Sequence, residues 1–177
     1  MISKELFFLY DMNFMDIYDL TLENNDGFIK IIPEIVFYQK GIWKDNKRID
    51  IININITDIP DELSNIISLM KDKNGFIKIK IKIYKFINDD KIIIKTKLKL
   101  QGIIGTLINN AVKVNLHFLI NNQEILKTDI TVNYDIKSIF PHELDEKIIN
   151  HVQHKLENYY IKIIDEYFTN LSLKNKK

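Results

Sequence analysis

The chain has 177 residues, of which 46% are hydrophobic, and this is enough for one well-packed domain but too short for two ordinary ones. Its formal net charge is +1, so no whole-molecule field attracts nucleic acid or a membrane, and the absence of cysteine excludes disulfide frameworks and thiolate chemistry. No apolar run approaches the ~20 residues that a membrane helix needs. The 36 isoleucines, 24 lysines and single arginine are typical of an AT-rich genome.

The amino-terminal segment, residues 1–27, is ambiguous, because its apolar residues fit neither the strand period nor the helix period. It shows no targeting signal, since the apolar run in Met1–Tyr10 is short and no small-residue cleavage site follows it. We therefore expect a soluble protein that acts in the cytoplasm by default. An organelle such as a plastid is the alternative if the chain is a mature or trimmed form.

Residues 28–136 alternate apolar and polar side chains with a period of two, which is typical of strands with one buried and one wet face. A first strand over 29–37 opens this region, and a short helix over 61–71 interrupts it. The alternation is cleanest in Phe76–Ile87 and Lys91–Gly102. Turn-forming clusters separate the runs and predict hairpins, and hence an antiparallel meander.

The period changes at Pro141, and apolar residues then recur at i, i+4 spacing as far as Leu171. This pattern predicts one long amphipathic helix, whose apolar stripe must pack on the sheet. The predicted stripe consists of Leu144, Ile148, Val152, Leu156, Tyr159, Ile163 and Tyr167. The sequence therefore predicts a single α+β domain over 1–177, in which a long helix over 141–171 lies across a curved antiparallel sheet of six or more strands.

Three stretches near the carboxyl end carry a family resemblance: Leu98–Gly102, Ala111–Leu116 and Asp165–Phe168. They are similar to an uncharacterised START-like family of cyanobacteria and plastid-bearing eukaryotes, within the START-like (SRPBCC, helix-grip) domains. Asp11–Leu22 departs from this pattern, because it is barely long enough for the two short helices that usually follow the first strand. The resemblance implies a cavity between helix and sheet that holds an apolar ligand, and it implies no catalytic residues.

The strand register places Lys85 and Thr96 on the apolar face of the sheet. A cavity lined by Ile and Leu with a few polar groups is typical of a small-molecule pocket. Two alternatives remain for Lys85: its side chain snorkels to the end of the sheet, or a β-bulge at 83–84 reverses the phase. The predicted ligand-binding residues are Lys85, Ile94, Thr96, Leu156, Tyr159, Tyr160 and Ile163.

A second candidate surface follows from the same hairpin. A two-residue turn at 89–90 would place Lys82 opposite Lys97 and Lys80 opposite Lys99, and we call these four residues the lysine ladder. Like charges directly opposite each other on adjacent strands destabilise a sheet. The ladder is therefore either a binding face for an anionic partner or a solvated surface whose charges are screened by salt.

Catalytic and metal-binding patterns are weak. His151, His154 and Glu157 lie one turn apart on the predicted helix, but the helix phase turns both histidines away from the apolar stripe, and we expect a solvated face. No serine lies in a nucleophile elbow. Gly102–Gly105 lacks the lysine of a phosphate loop, and we predict no helix after it. The residues favour a non-enzymatic protein without cofactor or metal.

Two hypotheses for function remain. The first is non-enzymatic binding of an apolar small molecule or lipid in a cavity between the sheet and the carboxyl-terminal helix. The alternative is a structural or interaction subunit of a larger assembly that uses the lysine ladder or the long helix. A hollow interior would favour the first, and an interior filled by isoleucine side chains would favour the second. The sequence leaves the ligand and the oligomeric state open.

Overall fold

Among the residues that the structure describes, seven antiparallel strands form one curved sheet in the spatial order β1-β7-β6-β5-β4-β3-β2. The computed structural model describes residues 1–19, 21, 30–57, 64–69, 71–101, 103–124 and 127–174. The strands are β1 (Ile2–Tyr10), β2 (Ile35–Gln39), β3 (Lys47–Ile56), β4 (Ile77–Asn88), β5 (Lys91–Leu100), β6 (Val112–Glu124) and β7 (Lys127–Ser138). Strands β2 to β7 neighbour one another in chain order, so the predicted antiparallel meander is confirmed.

The ambiguous amino-terminal segment begins with a strand. β1 pairs with β7 along its whole length, from Ile2 opposite Ile136 to Tyr10 opposite Thr128. Its period was hard to recognise because apolar residues occur on both faces, with Phe7 exposed on the outside. β1 and β2 therefore form the two edges of the sheet.

The predicted strand over 29–37 is wrong in its first part. Lys30 and Ile31 are helical and the strand starts at Ile35, while Ile29 lies outside the described residues. Pro33 explains the late start, because a proline has no amide hydrogen to donate to a strand ladder.

Among the described residues, the short helices between the strands include α1 (Phe14–Tyr18), α2 (Ser64–Ser68) and α3 (Ile103–Ala111). α2 lies within the helix predicted over 61–71, of which 61–63 and 70 fall outside the described residues. α3 contradicts the expectation that no helix follows Gly102. The Asn109 side chain accepts a hydrogen bond from the backbone N–H of Leu100 at 2.8 Å and donates one to its carbonyl at 2.9 Å, which folds α3 back on the end of β5.

The long carboxyl-terminal helix is confirmed. It consists of α4 (His142–Lys155), a π-helical stretch (Leu156–Ile161) and α5 (Lys162–Lys174). A π turn bonds residue i to i+5 and so takes one residue more than an α turn. The buried side chains follow this insertion, since Leu156 is succeeded on the buried face by Ile161 and then by Phe168.

The apolar core lies mainly between this helix and one half of the sheet. The helix contacts β7 and β1, and these strands supply Tyr10, Val132, Tyr134 and Ile136 to the core. Two tyrosines also hydrogen-bond to the helix: the Tyr10 hydroxyl donates to Asp165 at 2.7 Å, and the Tyr134 hydroxyl donates to Glu157. We call β1, β7 and the helix segments on them the filled half.

Candidate functional site

The other half of the sheet stands away from the helix and borders a partly open cavity of about 210 Å³. Strands β2 to β5 supply ten of its twenty described lining residues, and we call them the hollow half. The others come from β6, the carboxyl-terminal helix, Ile130 of β7, Thr21 and Ile32. The described lining residues are Thr21, Ile32, Ile35, Tyr38, Ile52, Ile54, Ile81, Ile83, Lys85, Ile94, Thr96, Leu98, Leu116, Phe118, Ile120, Ile130, Leu156, Tyr160, Ile164 and Phe168.

The alternation of the strands explains the composition of this wall. Successive side chains of a strand point to opposite faces, so β4 and β5 each present one parity to the interior. The cross-strand pairs Ile83–Thr96 and Lys85–Ile94 both face the cavity. The same register is continuous through Ile83 and Tyr84, so the alternative that a β-bulge reverses the phase is wrong.

Five of the seven predicted binding residues lie in the cavity wall: Lys85, Ile94, Thr96, Leu156 and Tyr160. Tyr159 and Ile163 are described but lie outside it, because the π turn rotates them away and brings Ile164 and Phe168 to the wall. The Tyr159 ring instead packs against the Lys155 ammonium group, 5.1 Å from the ring centre. The part that the wall residues play in ligand binding stays a prediction.

Lys85 does not snorkel to solvent, since it is only 4% exposed. Its Nζ lies 2.8 Å from Asp50 Oδ2 and donates a hydrogen bond to the Thr21 carbonyl at 2.7 Å. Desolvation lowers the pKa of Lys85 to about 8, although Asp50 opposes this shift. The ammonium group therefore forms one polar end of an otherwise apolar cavity.

A buried group of charges, the Asp50 cluster, surrounds this end and consists of Arg48, Asp50 and Lys85. Arg48 Nε lies 2.8 Å from Asp50 Oδ1, and both side chains are inaccessible to solvent. Burial by itself would raise the pKa of Asp50, but hydrogen bonds from Lys85, the Gly41 amide and Arg48 outweigh this effect and hold it below its usual value.

Two neighbours complete the cluster. The Tyr38 hydroxyl donates to Asp50 Oδ2 at 3.2 Å, and the Arg48 guanidinium lies 4.8 Å from the centre of the Trp43 ring. The Gly41 amide donates to Asp50 Oδ1 at 2.9 Å. Glycine is required there because a Cβ would collide with the carbonyl oxygen of Ile49. The cluster thus joins β2, β3 and β4 at the end of the cavity.

Sequence reasoning missed Arg48 and Asp50 as site residues. A signal was present, because both share the parity of Ile52 and Ile54, whose alternation marks the buried face of β3. Charged residues at the inward-facing positions of a strand are buried, and buried charges are usually paired with groups of opposite charge. Arg48 is moreover the single arginine of the chain.

The predicted register of the lysine ladder is confirmed, since Lys80 pairs with Lys99 and Lys82 with Lys97. Lys97 and Lys99 are exposed, and Lys80 and Lys82 are half-buried.

Within the described part of the chain, no group of three His, Asp or Glu side chains is arranged to hold a metal ion. His154 is exposed and its Nδ1 is hydrogen-bonded to Asn158 at 2.9 Å, whereas His151 is half-buried. None of the described helices is long and apolar enough to cross a membrane.

The arrangement is similar to several solved structures. The Zhui aromatase/cyclase from Streptomyces sp. R1128 has a TM-score of 0.60 and 7% identity, with 99% of this chain and 96% of that chain covered. A START superfamily protein from Mycobacterium smegmatis gives 0.52 and 12%, with 96% and 98% covered. The lipid transfer and protein localization domain of human StarD13 gives 0.51 and 9%, with 95% and 75% covered.

These likenesses show that the chain has the START-like, helix-grip fold. No protein-family model and no curated protein matches the sequence. The resemblance to the particular cyanobacterial and plastid family therefore stays a prediction.

Proposed function

We propose that this domain binds a compact apolar molecule in the cavity under its carboxyl-terminal helix, without covalent chemistry. The observation that carries the proposal is the wall of the cavity. Fifteen of its twenty described lining residues are Ile, Leu or Phe. An apolar molecule that packs against this wall removes apolar surface from water, which is favourable by ~25 cal/mol per Å² of apolar surface buried.

The size of the cavity limits the ligand. Its volume of about 210 Å³ exceeds the ~150 Å³ cavity that binds benzene in an engineered protein. It is smaller than the ~300–1,000 Å³ of ordinary ligand pockets. These magnitudes favour a small apolar molecule or a single short acyl chain over a complete two-chain phospholipid.

The polar groups of the wall support orientation of the ligand rather than catalysis. Lys85 is held by Asp50 and the Thr21 carbonyl, and the Thr96 hydroxyl donates to the Leu116 carbonyl at 3.2 Å. Groups that are fixed in this way can receive a polar headgroup at one end of the cavity. Among proteins of this fold, one is a lipid transfer domain and another is an aromatase/cyclase, so turnover of the ligand is the competing outcome.

The proposal is tested by extracting the purified protein with organic solvent and identifying released molecules by mass spectrometry. A matched pair of variants locates the site. Thr96→Trp adds volume inside the cavity, whereas Lys95→Trp adds the same side chain at the neighbouring position on the outer face of β5.

We expect an apolar compound to be recovered from the wild type and from Lys95→Trp, and to be absent from Thr96→Trp. Thr96→Trp should lose little stability, because a void accepts volume that a packed core rejects. A large loss of stability in Thr96→Trp, with no compound released from the wild type, would show a solid interior. The interaction-subunit hypothesis would then replace this proposal. Recovery of a chemically altered compound after incubation would instead indicate an enzyme.

A further inference from the structure

The outer face of β3, β4 and β5, opposite the cavity, is strongly basic, whereas the outward positions of β1 and β7 include Glu5, Asp129 and Asp135. Besides the lysine ladder, the basic face carries Lys78 at one end and Lys95 beside Lys97. The outward positions of β3, β4 and β5, all within the described residues, hold no carboxylate. Asp72 approaches from the preceding loop and pairs with Lys78 at 3.1 Å. The four ladder residues thus form a continuous positive surface.

A mainly apolar row, interrupted by Thr131, borders this basic surface on the same face. Cross-strand pairs join Phe86 to Ile93, Ile93 to Leu119, Leu119 to Thr131, and Thr131 to Phe7. Phe7 is 64% exposed, and its neighbour Leu9 on the same face is 56% exposed. The outer face therefore has an apolar margin next to a block of lysines.

We infer that this face docks on a lipid bilayer that contains anionic phospholipids. Lysine ammonium groups on flexible stems reach the phosphate level while apolar side chains enter the boundary between headgroups and acyl chains. Each lysine near an anionic bilayer raises the binding constant by roughly fivefold. The four ladder residues together then contribute roughly 600-fold. The repulsion between them in the sheet is present in the free and the bound protein alike, so it does not reduce this gain.

The same face fits single-stranded nucleic acid poorly. Sequence-tolerant binding of RNA needs exposed aromatic rings on which bases stack. The aromatic residues beside the ladder are Tyr84 and Phe86. Both rings already contact lysine ammonium groups. Lys47 Nζ lies 5.7 Å from the centre of the Tyr84 ring and 5.5 Å from that of the Phe86 ring, and Lys95 Nζ lies 5.8 Å from the Phe86 ring centre. An apolar row also has no partner on a phosphate backbone, whereas it has one in a bilayer.

This inference does not depend on the proposed ligand, because it rests on the opposite face of the sheet. A membrane is nevertheless where molecules of the proposed class are concentrated. A domain docked by its outer face would hold its cavity close to such a store.

Vesicle flotation tests the inference. The purified protein is mixed with vesicles of phosphatidylcholine alone or with 30 mol% phosphatidylglycerol, at low, physiological and high salt. The test variant replaces Lys80, Lys82, Lys97 and Lys99 by Gln. The control replaces Lys30, Lys147, Lys162 and Lys174 by Gln, which removes the same charge from exposed positions elsewhere.

We expect the wild type and the control to bind the anionic vesicles, with an affinity that falls steeply as salt rises. The test variant should bind at least about 100-fold more weakly. Phe7→Ser should weaken binding by about tenfold without changing the salt dependence, since it removes apolar contact only.

Equal binding to both vesicle types, or an equal loss in the control and the test variant, would overturn the inference. Tight binding of an RNA homopolymer by a protein that ignores vesicles would overturn it as well. Release of a cavity ligand is measured separately, so failure here leaves the proposed function untouched.

Discussion

The filled and hollow halves of the sheet both alternate apolar and polar side chains, but their apolar faces have different surroundings. In the filled half, strands β1 and β7 press against the helix, and Val132, Tyr134 and Ile136 are almost completely buried. In the hollow half, Ile81, Ile83 and Ile94 face a void and remain half-buried. The difference shows that an apolar face specifies a sheet, while its distance from the helix decides whether that face is core or ligand site.

The two halves are also held together differently. Packing on the helix stabilises the filled half. At the end of the hollow half, where packing is incomplete, the Asp50 cluster ties β2, β3 and β4 together with ion pairs and hydrogen bonds. The balance between the positive and negative charges of this cluster is expected to matter for stability, because a buried charge is tolerated only while its partners remain.

The largest effect is expected from breaking that balance. Asp50→Asn removes the anion from between Arg48 and Lys85 and leaves two buried cations, so the free energy of unfolding should fall by about 4 kcal/mol. Urea unfolding followed by circular dichroism measures it. Asp129→Asn is a control for carboxylate removal in the filled half. A change below about 1 kcal/mol in Asp50→Asn would mean that packing alone holds the hollow half.

A pair of truncations compares the packing of the two halves directly. Ile136→Ala empties a fully buried site on β7 and should cost about 3 kcal/mol. Ile83→Ala removes the same atoms from the wall of a void, and we expect a loss of about 1 kcal/mol or less. Thermal and urea unfolding of both variants give the comparison. Similar losses would show that the two halves are equally packed.

Lys85 offers a pH test of the same region. Its pKa is about 8 in the folded state and ~10.4 when unfolded. Below pH 8 both states are protonated and the full penalty of burying the charge is present. Between these values only the unfolded state holds the proton, so stability rises with pH.

From pH 7 to pH 10, the wild type should therefore gain about 2–3 kcal/mol relative to Lys85→Met, which cannot titrate. Urea unfolding of both proteins at several pH values isolates the contribution of this group. A constant difference across the range would mean that Lys85 titrates normally.

The smallest effect is expected on the outer face. Replacing Lys80, Lys82, Lys97 and Lys99 by Gln relieves repulsion between opposed ammonium groups, so stability should rise by less than about 1 kcal/mol. The gain should shrink in high salt, where the charges are screened. A loss of several kcal/mol would show that the ladder has structural partners, and the vesicle experiment would then need smaller substitutions.

Much of this fold could be predicted from local pattern. Period-two alternation gave the meander and the pairing of Lys80 with Lys99, because a two-residue turn fixes the register of a hairpin. The i, i+4 spacing gave the long helix. The strand β1 was not predicted because both of its faces are partly apolar. The helix α3 was not predicted because the hydrogen bonds between the Asn109 side chain and Leu100 connect residues that no periodicity relates.

The candidate site was only partly accessible from sequence, for a physical reason. Alternation determines which side of a strand a residue faces, and so it placed Lys85 and Thr96 on the inner face of the sheet. Alternation does not determine the distance between the helix and the sheet, because that distance is set by the packing of the helix on β7 and β1. Nor does an apolar stripe reveal a π turn, whose one extra residue replaced Tyr159 and Ile163 in the wall by Ile164 and Phe168. The sequence alone determined which side chains lie on the inner face of the sheet and which lie on the apolar stripe of the helix. The tertiary structure decided where these two surfaces do not touch and leave a cavity.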